Sequence, residues 1–250
     1  MRSLVLVVTS VLAAFAAASG SAQSLTLSPA AVPLRGLPGQ STTQSLTLGN
    51  GTSLDLDFAL EAKDVVVRDG RRVFVDAGET VPSIAETAVF SSRRLTVPAG
   101  ESRTVQVTLT LPPGASHRAV VALFRGLTRV GNTLPSVGTL LTFTLSGEFV
   151  LTPSDLLVDP QSATANLAFE ELLANDGKEP LVPKGVAVLL DKAGAIVGKA
   201  AFPTRRLLPG ERQAVRAEYA GELPPGGYRV LATFEYEGRA LTRAAEFQVP

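Results

Sequence analysis

The sequence of 250 residues contains no cysteine and no tryptophan, and it has a single histidine and a single methionine. Without cysteine, a disulfide-stapled scaffold and thiol nucleophiles are excluded, so stability must come from buried apolar surface. With one histidine, sites that need several histidine ligands are excluded too, and a hydrolytic triad would depend on His117. We therefore expect a non-enzymatic protein with no catalytic residue, no metal and no cofactor.

An excess of charge of one sign is also missing, because 23 Lys+Arg stand against 23 Asp+Glu. A nucleic-acid-binding domain carries a basic surface, and a helix that lies on a membrane carries a basic amphipathic stripe. The sequence has neither pattern. We expect a protein partner, no nucleic acid and no membrane insertion of the mature chain.

A long apolar run occurs once, at the start of the chain. Arg2 is followed by an apolar run from Leu4 to Ala18, and the small residues Gly20 and Ala22 come next. This order is typical of a secretory signal peptide, and the run is shorter than the roughly 20 residues of a spanning helix. It predicts a signal peptide over residues 1–22, cleavage after Ala22, and export to the periplasm or the cell surface.

The dominant pattern of the mature chain is alternation of apolar and polar residues. It is clearest in "SLDLDFALEAK" and "RTVQVTLTL", and "VVVRDGRRVFV" has the tight Asp-Gly turn of a hairpin. The strand pattern is interrupted near "LTPSDLLVDP" and then resumes. Many short strands with turns between them predict an all-β fold of two tandem immunoglobulin-like β-sandwiches, over residues 23–152 and 153–250.

One phrase is repeated in the two halves. "LPPGASHRAV" begins at Leu111 and "LPPGGYRV" begins at Leu223, and each follows a Pro/Gly/Glu turn and an alternating run. In immunoglobulin-like folds a Tyr at the start of strand F bonds back to the backbone of the preceding corner. Tyr228 is predicted to take that place in the second half, and His117 the equivalent place in the first. The repeat is interpreted as a folding signal, and a structural role for His117 is favoured over a catalytic one.

Residues 24–150 resemble the N-terminal domain of periplasmic pilus-assembly chaperones of the PapD-like superfamily. The resemblance rests on "LTLSP", on "PGQSTTQSLTLGNGTSLDLDFAL" and on "SSRRLTVPAGESRTVQVTLTLPPG". It implies that a late strand pairs with a pilus subunit, and that an Arg and a Lys hold the subunit's terminal carboxylate. Arg35 lies beyond the first strand, and no Lys occurs between Lys63 and Lys178.

The predicted partner-binding residues are Leu141, Phe143 and Leu145, which alternate in the last strand of the first half. In β-augmentation such residues enter a partner's groove, and the alternative is that they face their own core. The adjacent Glu170 and Glu171 are not expected to act together, because neighbours on a strand point to opposite faces. The arginine pairs at 71–72, 93–94 and 205–206 are interpreted as solvated turn charges.

These observations favour an exported binding protein that handles an envelope or fimbrial subunit in the manner of a chaperone. A structural or adhesive module of the cell surface is the alternative. A hydrolase is the third hypothesis and has almost no residues to support it.

Overall fold

The computed structural model describes residues 24–145, 147–159 and 167–250. The predicted signal peptide lies outside these residues. As predicted, the fold is all-β, with two tandem immunoglobulin-like sandwiches and one short 3₁₀ helix at Ala85–Thr87. The predicted boundary after residue 152 stays a prediction, and the strand Leu151–Pro153, which pairs within the second sandwich, spans it.

The strands of the first sandwich are β1 (Leu25–Ser28), β2 (Ala31–Arg35), β3 (Ser41–Asn50), β4 (Leu56–Arg68), β5 (Arg71–Asp76), β6 (Val89–Phe90), β7 (Arg94–Val97), β8 (Ser102–Thr110), β9 (Ala119–Gly126) and β10 (Ser136–Thr144). They form two sheets, with strand order β1-β3-β8-β6 in one and β2-β10-β9-β4-β5 in the other, where β7 also pairs with β4.

The chain passes from one sheet to the other near its start. β1 pairs antiparallel with β3, and after Pro29 the chain crosses so that β2 pairs parallel with β10. The predicted hairpin between β4 and β5 is present, and its turn residues Asp69 and Gly70 both have positive φ, 52° and 75°. Both central residues of a type I′ turn need positive φ, which explains the Asp-Gly pair.

Alternation along β4 and β8 fills the core between these sheets. Leu56 and Phe58 of β4 are fully buried, and Val107 of β8 is 1% exposed. Complete burial of an aliphatic or phenylalanine side chain stabilises the fold by about 1.5–3 kcal/mol. Leu54, which continues the pattern, lies in the preceding turn and is 48% exposed.

The second sandwich repeats the architecture with its own core, which includes Phe169, Leu189, Val230 and Phe234. The strands of the second sandwich are β11 (Leu151–Pro153), β12 (Leu157–Asp159), β13 (Leu167–Asn175), β14 (Lys184–Leu190), β15 (Ile196–Ala201), β16 (Arg212–Tyr219), β17 (Gly226–Tyr236) and β18 (Arg239–Val249). One sheet has β13 between β16 on one side and β11 and β12 on the other, and the second sheet has the order β15-β14-β17-β18.

The repeated LPPG phrase marks a corner in each sandwich. In the second, the hydroxyl of Tyr228 donates a 2.7 Å hydrogen bond to the carbonyl of Pro224, so the tyrosine corner is confirmed. In the first, His117 is also buried, but its ring bonds to the side chain of Asp64 instead of the corner backbone. The two corners are alike in position and differ in the bond that holds them.

Candidate protein-binding edge and cleft

The three predicted partner-binding residues lie on β10 or directly after it. Leu141 is fully buried and Phe143 is 3% exposed, and both belong to the core of the first sandwich. Leu145 is half-buried, and its N–H donates a 3.0 Å hydrogen bond to the carboxylate of Glu179. Leu141 and Phe143 therefore face their own core, while the partner-binding role of the three residues stays a prediction.

Part of β10 has a strand neighbour on one side only. β9 pairs with β10 from Ser136 to Thr142, whereas pairing with β2 begins at Leu140. The N–H of Leu140 points to the β2 side, where it bonds the carbonyl of Ala30. In an antiparallel pair the backbone groups of alternate residues point to the same side of the strand. The backbone groups of Ser136 and Gly138 therefore point to the same side as those of Leu140, but β2 begins too late to pair with them. We call this segment, Ser136–Gly138, the outer edge of β10.

The outer edge belongs to an uncharged stretch of β10 and follows a loop with exposed leucines. Between Ser136 and Leu145 the sequence "SVGTLLTFTL" has no charge and no proline. The loop that leads into β10 exposes Leu127 by 39% and Leu134 by 47%. Natural proteins usually protect free strand edges with charge, proline or bulges, and within this stretch the sequence supplies neither charge nor proline.

A cleft of about 660 Å³ lies between the sandwiches at the other end of β10. Leu145 and Phe149 give it an apolar wall, and the side chain of Arg35, at the end of β2, lines it. Arg35 forms no ion pair with any described residue. The cleft therefore combines apolar surface with an arginine whose charge is open to a ligand.

The outward face of the β10 sheet packs against the second sandwich. Leu208 is 2% exposed and contacts a cluster that includes Val65, Ala119 and Val121. Beside this contact, Arg72 Nε lies 2.8 Å from a carboxylate oxygen of Glu211. An apolar contact and an ion pair thus join the sandwiches.

The histidine is part of a buried polar network on the first sandwich. His117 Nε2 lies 2.9 Å from Asp64 Oδ1, and the other oxygen of Asp64 accepts hydrogen bonds from Thr80 and Ser83. Burial alone would raise the pKa of Asp64, but the hydrogen bonds from His117, Ser83 and the N–H of Ala85 outweigh it and lower the pKa to about 2. Ser83 donates to the carboxylate and not to the imidazole, so this network lacks the nucleophile–base contact of a triad.

Glu170 and Glu171 point to opposite faces of β13, as predicted. Glu170 is half-buried and pairs with Arg216, whereas Glu171 is 2% exposed and neither of its carboxylate oxygens has a hydrogen-bond partner. Burial raises the pKa of Glu171 to about 7; the charge of Arg243 acts against this rise and that of Asp155 adds to it. Glu171 is an isolated buried acid rather than half of a catalytic pair.

Two other features bear on function. Among the residues that the structure describes, no group of three His, Cys, Asp or Glu side chains is placed to hold a metal ion. The same part of the chain has no helix with the length and apolar character needed to cross a membrane.

The strand orders of the four sheets define an all-β protein of two immunoglobulin-like sandwiches. Similar solved structures include fimbrial chaperones. The class 5 chaperone CfaA is 12% identical, with 91% of this chain and 99% of that chain covered and a TM-score of 0.44. The chaperone–tip adhesin pre-assembly complex CsuC–CsuE of Acinetobacter baumannii is 11% identical, with 89% and 97% covered and a TM-score of 0.45. The E. coli chaperone DraB is 15% identical, with 91% and 98% covered and a TM-score of 0.38.

These likenesses concern the fold. The sequence matches no protein-family model and no curated protein.

Two of the arginine pairs that were interpreted as separate turn charges lie together in the structure. Arg71 and Arg72 follow the first hairpin and Arg205 and Arg206 precede the Leu208 turn, and the structure brings both pairs to one place. The two pairs are far apart in the chain. For example, Arg72 donates a hydrogen bond to the carbonyl of Arg206, which lies 134 positions later. Only the docking of the two sandwiches reveals this proximity.

Proposed function

We propose that this protein binds an exported polypeptide, an envelope or fimbrial subunit, by pairing its backbone with the outer edge of β10. The partner's strand would lie beside Ser136–Gly138, in line with β2, and continue that side of the sheet. Backbone pairing supplies affinity in β-augmentation, and side-chain pockets supply selectivity. The proposed role is chaperone-like and non-enzymatic. The proposed location is the periplasm or the cell surface.

The observation that carries this proposal is the incomplete cover of β10. Pairing with β2 begins at Leu140, while pairing with β9 extends back to Ser136. The exposed Leu134, two residues before Ser136, gives an apolar contact beside the uncovered backbone. A partner strand would cover both the free backbone groups and this side chain.

Among the three predicted contact residues, the proposal assigns the direct contact to Leu145. It lines the cleft, whereas Leu141 and Phe143 hold β10 against the core. Arg35 stands opposite Thr144 in the β2–β10 register and lines the same cleft. In the proposal its guanidinium takes a carboxylate of the partner, because planar guanidinium binds carboxylate in a bidentate manner.

The experiment is capture of the bound chain from the native envelope with a tagged protein, using two variants of Ser136. Ser136→Pro removes an outward N–H at the first residue of a strand, a position that tolerates proline. Ser136→Ala is the matched control: it keeps the N–H and removes only the side-chain oxygen, which accepts a 3.3 Å bond from Gly126. We expect Ser136→Ala to retain the partner and Ser136→Pro to lose it. Equal capture by both variants would contradict the proposal.

A permanent partner would indicate the structural or adhesive alternative. We expect the captured chain to exchange with an added labelled subunit, as a chaperone's client does. A complex that never exchanges would favour the alternative.

A further inference from the structure

Five arginines converge where the two sandwiches meet. A cleft of about 820 Å³ is lined by twelve residues, of which five are arginine and one is acidic. We call these five the arginine cluster. Its members are Arg71, Arg72, Arg205, Arg206 and Arg212.

Among the described residues that line this cleft, the single acid is already engaged. One carboxylate oxygen of Glu211 lies 2.8 Å from Arg72 Nε, and the other accepts a 2.8 Å hydrogen bond from the N–H of Leu208. Arg71, Arg205 and Arg212 form no ion pair with any described residue. In a chain with equal numbers of acidic and basic residues, positive charge is therefore concentrated at this place.

The positions of these arginines are fixed by the junction itself. The N–H of Arg212 donates a 2.9 Å hydrogen bond to the carbonyl of Gly70, so the second sandwich is attached to the first hairpin. Arg206 donates a 3.0 Å hydrogen bond to Thr142 of β10, and Arg72 donates to the carbonyl of Arg206. Burial, and then the charge of Arg72, lower the pKa of Arg206, while Glu237 acts in the opposite direction.

We propose that the arginine cluster is a binding site for a multivalent anion that carries clustered phosphate groups. Four of the five guanidinium charges have no acidic partner in this cleft, so a ligand with one negative charge would leave most of the repulsion in place. Guanidinium groups form paired hydrogen bonds with phosphate oxygens, and these charge-assisted bonds are among the strong ones. A phosphate-bearing ligand here would contact both sandwiches and bind them together.

This site is separate from the outer edge of β10, and it goes beyond the proposed function. Phosphate groups of this kind occur both in soluble compounds and in lipid headgroups. The shared chemistry is a cluster of phosphate oxygens, and the two sources are distinguished by the test.

The test uses the full mature chain with inorganic pyrophosphate as the soluble probe, followed by calorimetric titration. A second arm measures co-sedimentation with phosphatidylcholine vesicles that contain or lack phosphatidic acid. The cluster variant carries Arg71→Gln, Arg205→Gln and Arg212→Gln, which are exposed side chains. The control removes three exposed charges elsewhere on the first sandwich, with Arg93→Gln, Arg94→Gln and Arg103→Gln, of which Arg103 pairs with Glu101.

We expect binding by the native protein and by the control. In the cluster variant we expect the affinity to fall by about tenfold or more, because three guanidinium groups that would donate to the phosphate oxygens are gone. Binding of pyrophosphate supports a soluble source, and binding of phosphatidic acid vesicles alone supports a lipid source. Absence of binding in both arms would overturn the inference, and so would equal affinity of the cluster variant and the control. Ser136→Pro should leave this binding unchanged, so failure here is distinguishable from failure of the proposed function.

Discussion

Asn50 and Asn175 occupy equivalent places in the two sandwiches and share a set of corresponding hydrogen bonds. Each side-chain amide donates to a carbonyl four residues ahead, Leu54 for Asn50 and Glu179 for Asn175. Each amide also donates to a backbone carbonyl at the start of the Pro/Gly/Glu turn. This is the carbonyl of Val97 in the first sandwich and of Leu207 in the second.

The backbone bonds repeat as well. The N–H of Asn50 donates to Glu101 and that of Asn175 to Glu211, and each asparagine carbonyl accepts from the glycine that precedes that glutamate. The repeated Pro/Gly/Glu turn is therefore half of a clamp whose other half is a buried asparagine. Asn50 begins the sequon "NGT", but its amide is bonded inside the fold and its side chain is 2% exposed.

The clamp gives a first prediction. Asn175→Ala would remove the hydrogen bonds that the buried Asn175 side chain donates to the carbonyls of Glu179 and Leu207, and the bond that it accepts from the N–H of Gly177. A hydrogen bond contributes about 0.5–1.5 kcal/mol net, so we expect the loss of these bonds to lower the free energy of unfolding by on the order of 3 kcal/mol. Urea unfolding measures it. The control Asn132→Ala changes an exposed asparagine and should lie within about 0.5 kcal/mol of the native protein. Equal stability of the two variants would contradict the clamp.

The tyrosine corner gives a second prediction. Tyr228→Phe removes the donor to the Pro224 carbonyl, and we expect a loss of about 1–2 kcal/mol because that carbonyl loses its partner. The control is Tyr219→Phe, whose hydroxyl makes an exposed 3.3 Å bond to Val197. Thermal unfolding should separate them, with a lower Tm for Tyr228→Phe. Similar Tm values would show that the corner bond contributes nothing.

The raised pKa of the buried Glu171 gives a third prediction, a dependence of stability on pH. An acid with a raised pKa in the folded state retains its proton where the unfolded chain has lost it, so stability is full below the ordinary pKa of 4.5 and falls as pH rises towards about 7. This change in pKa corresponds to a loss on the order of 3 kcal/mol in the free energy of unfolding. Glu171→Gln should abolish this loss of stability, and Glu170→Gln, on the opposite face of β13, should retain it.

All three tyrosines, Tyr219, Tyr228 and Tyr236, lie in the second sandwich, so tyrosine circular dichroism follows the sandwich that contains Glu171. We expect the midpoint of urea unfolding to fall between pH 5 and pH 8 in the native protein. The same slope in Glu171→Gln would show that other groups cause the dependence.

The fourth prediction concerns the core side of β10. Phe143→Lys places a charge where the side chain is 3% exposed, and an unpaired buried charge costs several kcal/mol. We expect the isolated protein to unfold or to lose most of its stability. Thr144→Lys, which alters the next residue and is half-buried at the cleft, should stay folded. Native-like circular dichroism of Phe143→Lys would instead mean that this side chain leaves the core.

Alternation and turn chemistry were enough to predict the architecture. Leu56 and Phe58 alternate with acids because one face of β4 is buried, and Asp69-Gly70 forms the turn that its residues require. The tyrosine corner was predictable because the bond of Tyr228 lies within four positions of the chain.

Contacts between distant segments were not predictable. Nothing in the local pattern of β10 indicates that β2 covers it only from Leu140 onward, because that register depends on where the chain crosses between sheets. The burial of Glu171 without a partner was not predictable either. Its neighbours Phe169 and Leu173 indicate a core-facing side of the strand, but a charged residue is not expected on that side.

The central claim, that a polypeptide partner pairs with the outer edge of β10, is tested most directly by site-specific photo-crosslinking in the native envelope. A photoreactive residue at Leu134 lies beside the outer edge, and one at Val81, which is 91% exposed, serves as the control on another loop of the same sandwich. We predict one discrete crosslinked chain from position 134, lost when Ser136→Pro is added, and none from position 81. Crosslinking from position 81 alone, or from both positions regardless of Ser136→Pro, would contradict the claim.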